Sequence, residues 1–182
     1  IMKIEDVVNN SEILFSYNEI KKTISNIANK LNEQFKELES EVVLLPIMKG
    51  AIPFAGHLIP KLTFDTNIEY IHLTRYKHNL PTEDFNWIYK PPISDISGKH
   101  VVVLDDILDE GITLLNVTDQ LKLMGANSIT TAVLFDKKIN FNKVIIANYV
   151  GLEVPNHYVY GFGLDFKGAG RNLPNLYAFN EK

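Results

Sequence analysis

Residues 101–113 read VVVLDDILDEGIT. An apolar run leads straight into the carboxylates Asp105 and Asp106, with Asp109 close behind. Like charges held that close repel, so the arrangement calls for a positive or hydroxyl-rich group between them. The stretch reads as strand end, loop and helix start. Gly111 permits a tight turn, successive backbone N–H groups at the helix start cradle an anion, and Thr113 adds a hydroxyl. Asp105 and Asp106 can accept ribose hydroxyls or face Mg2+ through water. A sugar phosphate satisfies both halves of this pattern. Adjacent acids after a strand are, taken alone, most often an ordinary polar loop; the continuation Asp109-x-Gly111-x-Thr113 is what points to a site. The pattern GxxxxGK[ST] is absent, and Gly161-x-Gly163 lacks the last glycine of the dinucleotide fingerprint and comes late in the chain, so nucleotide-hydrolase and dinucleotide readings are set aside.

The elements that must hold these groups follow from periodicity. Ile20, Ile24, Ile27, Leu31, Phe35 and Leu38 form one helical face, and Ser16 with Glu19 makes a capping box ahead of it. EVVLLPI (41–47) reads as a buried strand, and KGAIPFAGHLIPKL (49–62) as a turn and helix with Pro53 in its first turn. NIEYIHLT (67–74) is strand-like, and residues 75–92 read as a long loop without clear period. VVVLDD (101–106) is a strand, GITLLNVTDQLKLMG (111–125) an amphipathic helix stopping at Gly125, and SITTAVLF (128–135) and KVIIANYV (143–150) are further strands. YVYGFGLDF (158–166) is a shorter strand entering a glycine-rich loop. Alternating strands and helices with continuously apolar strands predict an α/β fold with a mainly parallel sheet. Ligands in such sheets bind at the carboxyl ends of strands. The acidic pair sits at such an end, as does Asp136.

Composition bounds the rest. The chain has 182 residues, 46% hydrophobic and 22% charged, which suits one domain with a sizeable core. A net charge of −4 and a pI of about 5.7, with no basic block, argue against a general nucleic-acid binder but allow a phosphorylated small molecule. The absence of cysteine rules out disulfides and thiolate metal sites and fits a cytoplasmic protein. No apolar run approaches the ~18 residues of a membrane span, and the N-terminal stretch has early acids and no signal-type core. Ile1 ahead of Met2 reads as a remnant of cloning or processing. The five histidines show no metal-ligand spacing.

The 101–113 stretch resembles the phosphoribosyl-diphosphate signature of the type I phosphoribosyltransferases, and the chain from about residue 14 to 178 is similar to the bacterial hypoxanthine-guanine members. LPIMKGAIPF (45–54) resembles their first diphosphate loop, LTRY (73–76) the start of their lid, VLFDKK (133–138) the strand with the purine-reading lysine, and VPNHYVYGFGLDFKGAGRNLP (154–174) the purine-stacking, metal and diphosphate segment.

The resemblance implies a type I phosphoribosyltransferase fold over residues 1–182, with a small hood from roughly 1–16 plus 151–182 and a lid over roughly 75–92. It implies transfer of a phosphoribosyl group from phosphoribosyl diphosphate to a 6-oxopurine, with Mg2+, in a homodimer or homotetramer. By position, Asp105 and Asp106 hold the ribose hydroxyls and a magnesium shell, and Asp109 is the general acid/base at purine N7. Glu110, Gly111, Ile112 and Thr113 wrap the 5′-phosphate. Lys49 and Gly50, on a peptide that is often cis in the family, bind diphosphate with Arg75 and Arg171, and Asp165 binds a second Mg2+. Lys137 donates to O6, Tyr158 stacks on the base, and the Val159 backbone meets its Watson–Crick edge. Arg75 and Tyr76 begin the lid. An oxo group accepts where adenine's amino group donates, so a lysine is a suitable reader.

Two positions depart from the family. Glu110 stands where many relatives have Thr or Ser, so its carboxylate must point away from phosphate or pair with a cation, and Ile112 stands where some have Lys. Both weigh on donor affinity. Trp87 either covers the site or packs. A xanthine-preferring enzyme and a non-catalytic regulator sensing phosphoribosyl diphosphate on the same fold are the other readings. A receiver-like acidic Mg2+ pocket would leave Gly111-x-Thr113 and Lys49-Gly50 unexplained.

Overall fold

The helical face begun at Ile20 folds as helix α2 (Tyr17–Phe35), preceded by helix α1 (Ile4–Asn9) and strand β1 (Ser11–Phe15). This computed structural model describes residues 4–75 and 85–179. The capping box is present: the Glu19 carboxylate accepts from the Ser16 backbone N–H at 2.8 Å, and the Ser16 hydroxyl accepts from Glu19 N–H. Ile20, Ile24, Ile27, Leu31 and Phe35 are all buried, so this helix is held by one apolar face.

Next come strand β2 (Val42–Met48), helix α3 (Ile52–Leu58) and strands β3 (Thr66–Ile68), β4 (Ile71–Arg75) and β5 (Phe85–Tyr89). Strand β6 (His100–Leu108), helix α4 (Ile112–Leu123) and strands β7 (Ser128–Lys137), β8 (Tyr149–Val154), β9 (Val159–Tyr160) and β10 (Leu176–Phe179) complete the chain. The large sheet has seven strands, ordered β5-β4-β2-β6-β7-β8 with β3 also on β2. Every pairing in it is parallel except β4 with β5.

Continuously apolar strands imply two covered faces, and both are covered. Val42, Leu44, Val102 and Leu104 point into a core with α2 and α3, while Val43, Leu45, Val101 and Val103 point into a second core with α4. A smaller layer, the antiparallel sheet β1-β10-β9, joins the two ends of the chain around Val7, Tyr160, Phe166 and Tyr177. Strand β8 stays in the large sheet to Val154, so the C-terminal part of the small sheet begins at Val159.

Three expectations change. The strand over 67–74 is two strands, because the chain breaks at Glu69 and Tyr70: Glu69 N–H still donates to Leu44 at 3.0 Å before β4 re-pairs higher up β2. The 75–92 loop contains β5, whose Phe85, Trp87 and Tyr89 alternate inward against β4. Trp87 therefore packs, opposite Leu73 and against the second core. The strand over 143–150 starts only at Tyr149; Val144 and Ile146 are exposed, because the segment ahead of β8 turns away to cover the end of the β6–α4 loop.

Connectivity decides where a ligand can sit. From β2 the chain crosses through α3 to β3 and β4 on one side, then returns to β6 on the other. The crevice at that reversal lies between the carboxyl ends of β2 and β6, where Lys49-Gly50 and Asp105-Asp106 are.

Candidate active site

Strand β6 runs further than the apolar pattern predicts, to Leu108, so Asp105 and Asp106 are strand residues. Asp105 is buried at 7% exposure and Asp106 half-buried. The Asp105 carboxylate accepts from the Asp106 N–H at 3.0 Å, and the Asp106 carboxylate from the Ile107 N–H at 2.9 Å. Burial pushes the Asp105 carboxyl well above the ordinary carboxylate range, and the neighbouring Asp106 charge adds to that. Burial also raises Asp106, against the downward pull of the Asp105 and Ile107 hydrogen bonds and the Arg171 charge.

A raised carboxyl binds its proton more tightly in the native state than in the unfolded chain. The free protein therefore loses stability as pH climbs from the ordinary carboxylate range through the raised value. Asp105→Asn removes that loss. By thermal melting at pH 8 the variant should exceed the parent by roughly 2–8 °C, equivalent to about 1–2 kcal/mol in a domain of this size, with the gap closing near pH 4. Equal melting temperatures at pH 8 would show that the pair carries no electrostatic strain.

The loop between β2 and α3 meets these acids directly. The Met48–Lys49 peptide is cis, and a Cβ added at Gly50 would overlap the Asp106 carboxylate. Gly163, at φ 103°, brings the small layer so close that its own Cβ would strike the Gly50 carbonyl. Gly50→Ala should thus displace Asp106 and lower kcat/KM about 100-fold, read by steady-state kinetics; parental kcat/KM would mean that the loop yields freely.

Gly111, at φ 88°, turns the chain into α4, and its carbonyl accepts from Leu115 N–H at 2.9 Å. Residues 109–113 thus present backbone at a helix N-terminus. Glu110 pairs with Arg75 on β4 at 2.8 Å, so its carboxylate has a cation partner beside the α4 N-terminus. Arg75, Asp105, Asp106, Asp109 to Thr113, Lys49, Gly50, Asp165 and Arg171 line one cleft of about 310 Å³.

A second cleft of about 220 Å³ adjoins it and shares Asp106, Ile107, Asp109, Asp165 and Arg171. Lys137, at the end of β7, reaches into it and donates to Asp109 at 2.9 Å; Lys137 is 15% exposed and Asp109 50%. Tyr158 is 46% exposed on one side and packs edge-on against Phe166, with ring centroids 5.1 Å apart. Val159 in β9 and Leu164 complete the walls.

Arg171 and Asp165 hold each other. The Arg171 guanidinium donates to the Asp165 carboxylate at 2.5 Å and to the Gly163 carbonyl at 2.6 Å, and the second Asp165 oxygen accepts from Gly168 N–H at 2.8 Å. Among the described residues no three acidic or histidine side chains converge as a metal cage. The carboxylates that line the first cleft fit Mg2+ held by one or two of them together with substrate oxygens.

Sequence reasoning missed Ile107 and Leu164 as walls of the second cleft. Ile107 carried a signal, being an apolar residue set between acids. Tyr76 lies outside the described residues.

The family model for the phosphoribosyl transferase domain matches residues 11–167. The chain belongs to the phosphoribosyltransferase family. Among its relatives, the hypoxanthine-guanine phosphoribosyltransferase of Aquifex aeolicus is 31% identical over 170 residues, covering 91% of this chain and 93% of the relative. The crystal structure of a hypoxanthine-guanine phosphoribosyltransferase from Bacillus anthracis superposes with a TM-score of 0.84 at 26% identity, over 92% of this chain and 97% of that one. Hypoxanthine phosphoribosyltransferase from Trypanosoma cruzi, in complex with the product IMP, superposes at 0.85 and 26% identity, over 94% and 95%. The chain has the type I phosphoribosyltransferase fold, with its carboxylates gathered at the crevice between β2 and β6. No described helix is long and apolar enough to cross a membrane.

Proposed function

We propose that this phosphoribosyltransferase salvages purines, joining hypoxanthine and guanine to the phosphoribosyl group of phosphoribosyl diphosphate to form IMP and GMP with release of diphosphate. The observation that carries the reading is the pair of adjoining clefts meeting at Asp106 and Asp109, one lined by an α4 N-terminus and paired acids, the other by Lys137 and Tyr158.

In the first cleft the backbone of Glu110 to Thr113 and the Thr113 hydroxyl bind the 5′-phosphate. Asp105 and Asp106 accept from the ribose hydroxyls, and the Lys49–Gly50 loop, Arg75 and Arg171 receive diphosphate. In the second cleft Tyr158 stacks on the base, Val159 meets its Watson–Crick edge, and Lys137 donates to O6. N9 of the base forms its bond to C1′ as the bond from C1′ to diphosphate breaks, through an oxocarbenium-like state stabilised by position and charge. Asp109 takes the proton that leaves N7. Asp105 and Asp106 would hold one Mg2+ through its water shell and Asp165 a second, which together would neutralise charge on the departing diphosphate. Two or four copies acting in the cytoplasm complete the proposal, as does a lid beginning at Arg75 and Tyr76 that excludes water.

A spectrophotometric assay with Mg2+ and phosphoribosyl diphosphate, offering hypoxanthine, guanine, xanthine and adenine in turn, tests it. Turnover of hypoxanthine and guanine but not adenine is the expected result. A preference for xanthine would correct the substrate, and donor binding without turnover of any base would overturn the enzymatic reading in favour of a sensor.

A further inference from the structure

Lys143 lies in the irregular segment between β7 and β8 and lines neither cleft. Its side chain is 14% exposed. The Lys143 ammonium donates to the Leu108 carbonyl at 2.6 Å and to the Asp136 carboxylate, which is itself 18% exposed. Leu108 and Asp136 are register partners across β6 and β7. Each immediately precedes a residue of the site: Leu108 precedes Asp109, and Asp136 precedes Lys137. One ammonium therefore bridges the two strand ends from which the Lys137–Asp109 ion pair projects.

The next two residues extend the support. Val144 N–H donates to the Glu110 carbonyl at 3.3 Å, and Ile145 packs so closely on Gly111 that a Cβ there would lie 2.9 Å from Ile145 Cγ2. Residues 143–145 thus back the whole turn from Leu108 to Gly111. Burying an ammonium costs desolvation that a single carboxylate offsets only in part, so such a pair contributes geometry more reliably than stability. Its donors are aimed at two acceptors fixed by the sheet, a backbone carbonyl and a strand-end carboxylate.

We infer that Lys143 is a positioning residue: it sets the separation of Asp109 from Lys137 and holds the 108–111 backbone in its anion-receiving shape. It acts through Leu108 and Asp136 and touches no substrate. What the positioned groups do rests on the purine phosphoribosyltransferase reading; the geometry does not.

Two variants test it. Lys143→Met keeps an unbranched side chain out to Cε and removes the ammonium donors. Lys143→Met combined with Asp136→Asn also removes the carboxylate left behind, whose remaining cation, Lys138, is 4.0 Å away. In the ligand-free protein, the Val144 and Leu115 amide hydrogens, which donate to the Glu110 and Gly111 carbonyls, should exchange at least about 10-fold faster in both variants while those of 101–104 keep the parental rate. With donor and hypoxanthine, kcat should fall about 10- to 100-fold in the double variant, with a melting temperature near the parent's. Parental exchange at Val144 and Leu115 in a folded variant overturns the positioning role, as does parental kcat in the double variant. A parent that turns over no oxopurine sinks the functional reading instead, and the exchange rates still decide the role of Lys143.

Discussion

Asp109→Asn lowers kcat by about 10²- to 10⁴-fold, the range that a positioned proton acceptor supplies, while the affinity for phosphoribosyl diphosphate stays within a few-fold of the parent. The separation of these effects follows from placement. Asp109 stands where the two clefts meet, half exposed and bonded to Lys137 at 2.9 Å. An asparagine oxygen can still accept from the Lys137 ammonium, so the turn into α4 and its backbone N–H groups persist and the donor still binds. What disappears is a group able to take a proton from the base. Steady-state kinetics with a separate calorimetric measurement of donor binding checks both halves. Equal kcat in variant and parent would remove Asp109 from the proton-transfer role, and parallel losses in kcat and donor affinity would make it a binding group.

Lys137→Ala reduces discrimination between 6-oxo- and 6-aminopurines. A site built to donate to an oxo group can reject a base that offers a donor by on the order of 10⁴-fold, because one of the two donors is left unpaired. Lys137 is 15% exposed, mostly withdrawn from water, so the penalty for facing an adenine amino group is not relieved by solvent. In the variant, kcat/KM for hypoxanthine should fall while that for adenine rises or holds, bringing the ratio down by about 10²-fold or more. The ratio of the two kcat/KM values is the quantity to measure. An unchanged ratio would assign O6 recognition elsewhere in the second cleft. Loss of Lys137 also leaves Asp109 without its ion pair, but at 50% exposure that carboxylate is hydrated, so folding should be little affected.

Much of the architecture was legible because it is written in local periodicity. The capped helix over Tyr17–Phe35 follows from a run of apolar residues three and four apart, and β2, β6 and β7 from continuous apolar stretches covered on both faces. The errors lie where local pattern and tertiary pairing diverge. Val144 and Ile146 belong to an apolar run that reads as a strand, yet they are exposed, because Lys143 and Val144 are used to brace the β6–α4 turn. Phe85, Trp87 and Tyr89 alternate as a strand should, but the charged and proline-rich surroundings hide that short period, and only the antiparallel partner β4 makes it one.

The sequence by itself determined the carboxylates, glycine and threonine of the 105–113 turn and their position at a strand end. Those are local properties: an apolar strand must end where charge begins, and a glycine marks the turn. Only the tertiary structure decided which groups face each other. The Arg75–Glu110 pair, the Lys137–Asp109 pair, and the approach of Gly163 to Gly50 and of Gly50 to Asp106 join residues distant in the chain. Their separations depend on the register of parallel strands and on how closely two backbones can pass, neither of which is encoded in any one segment.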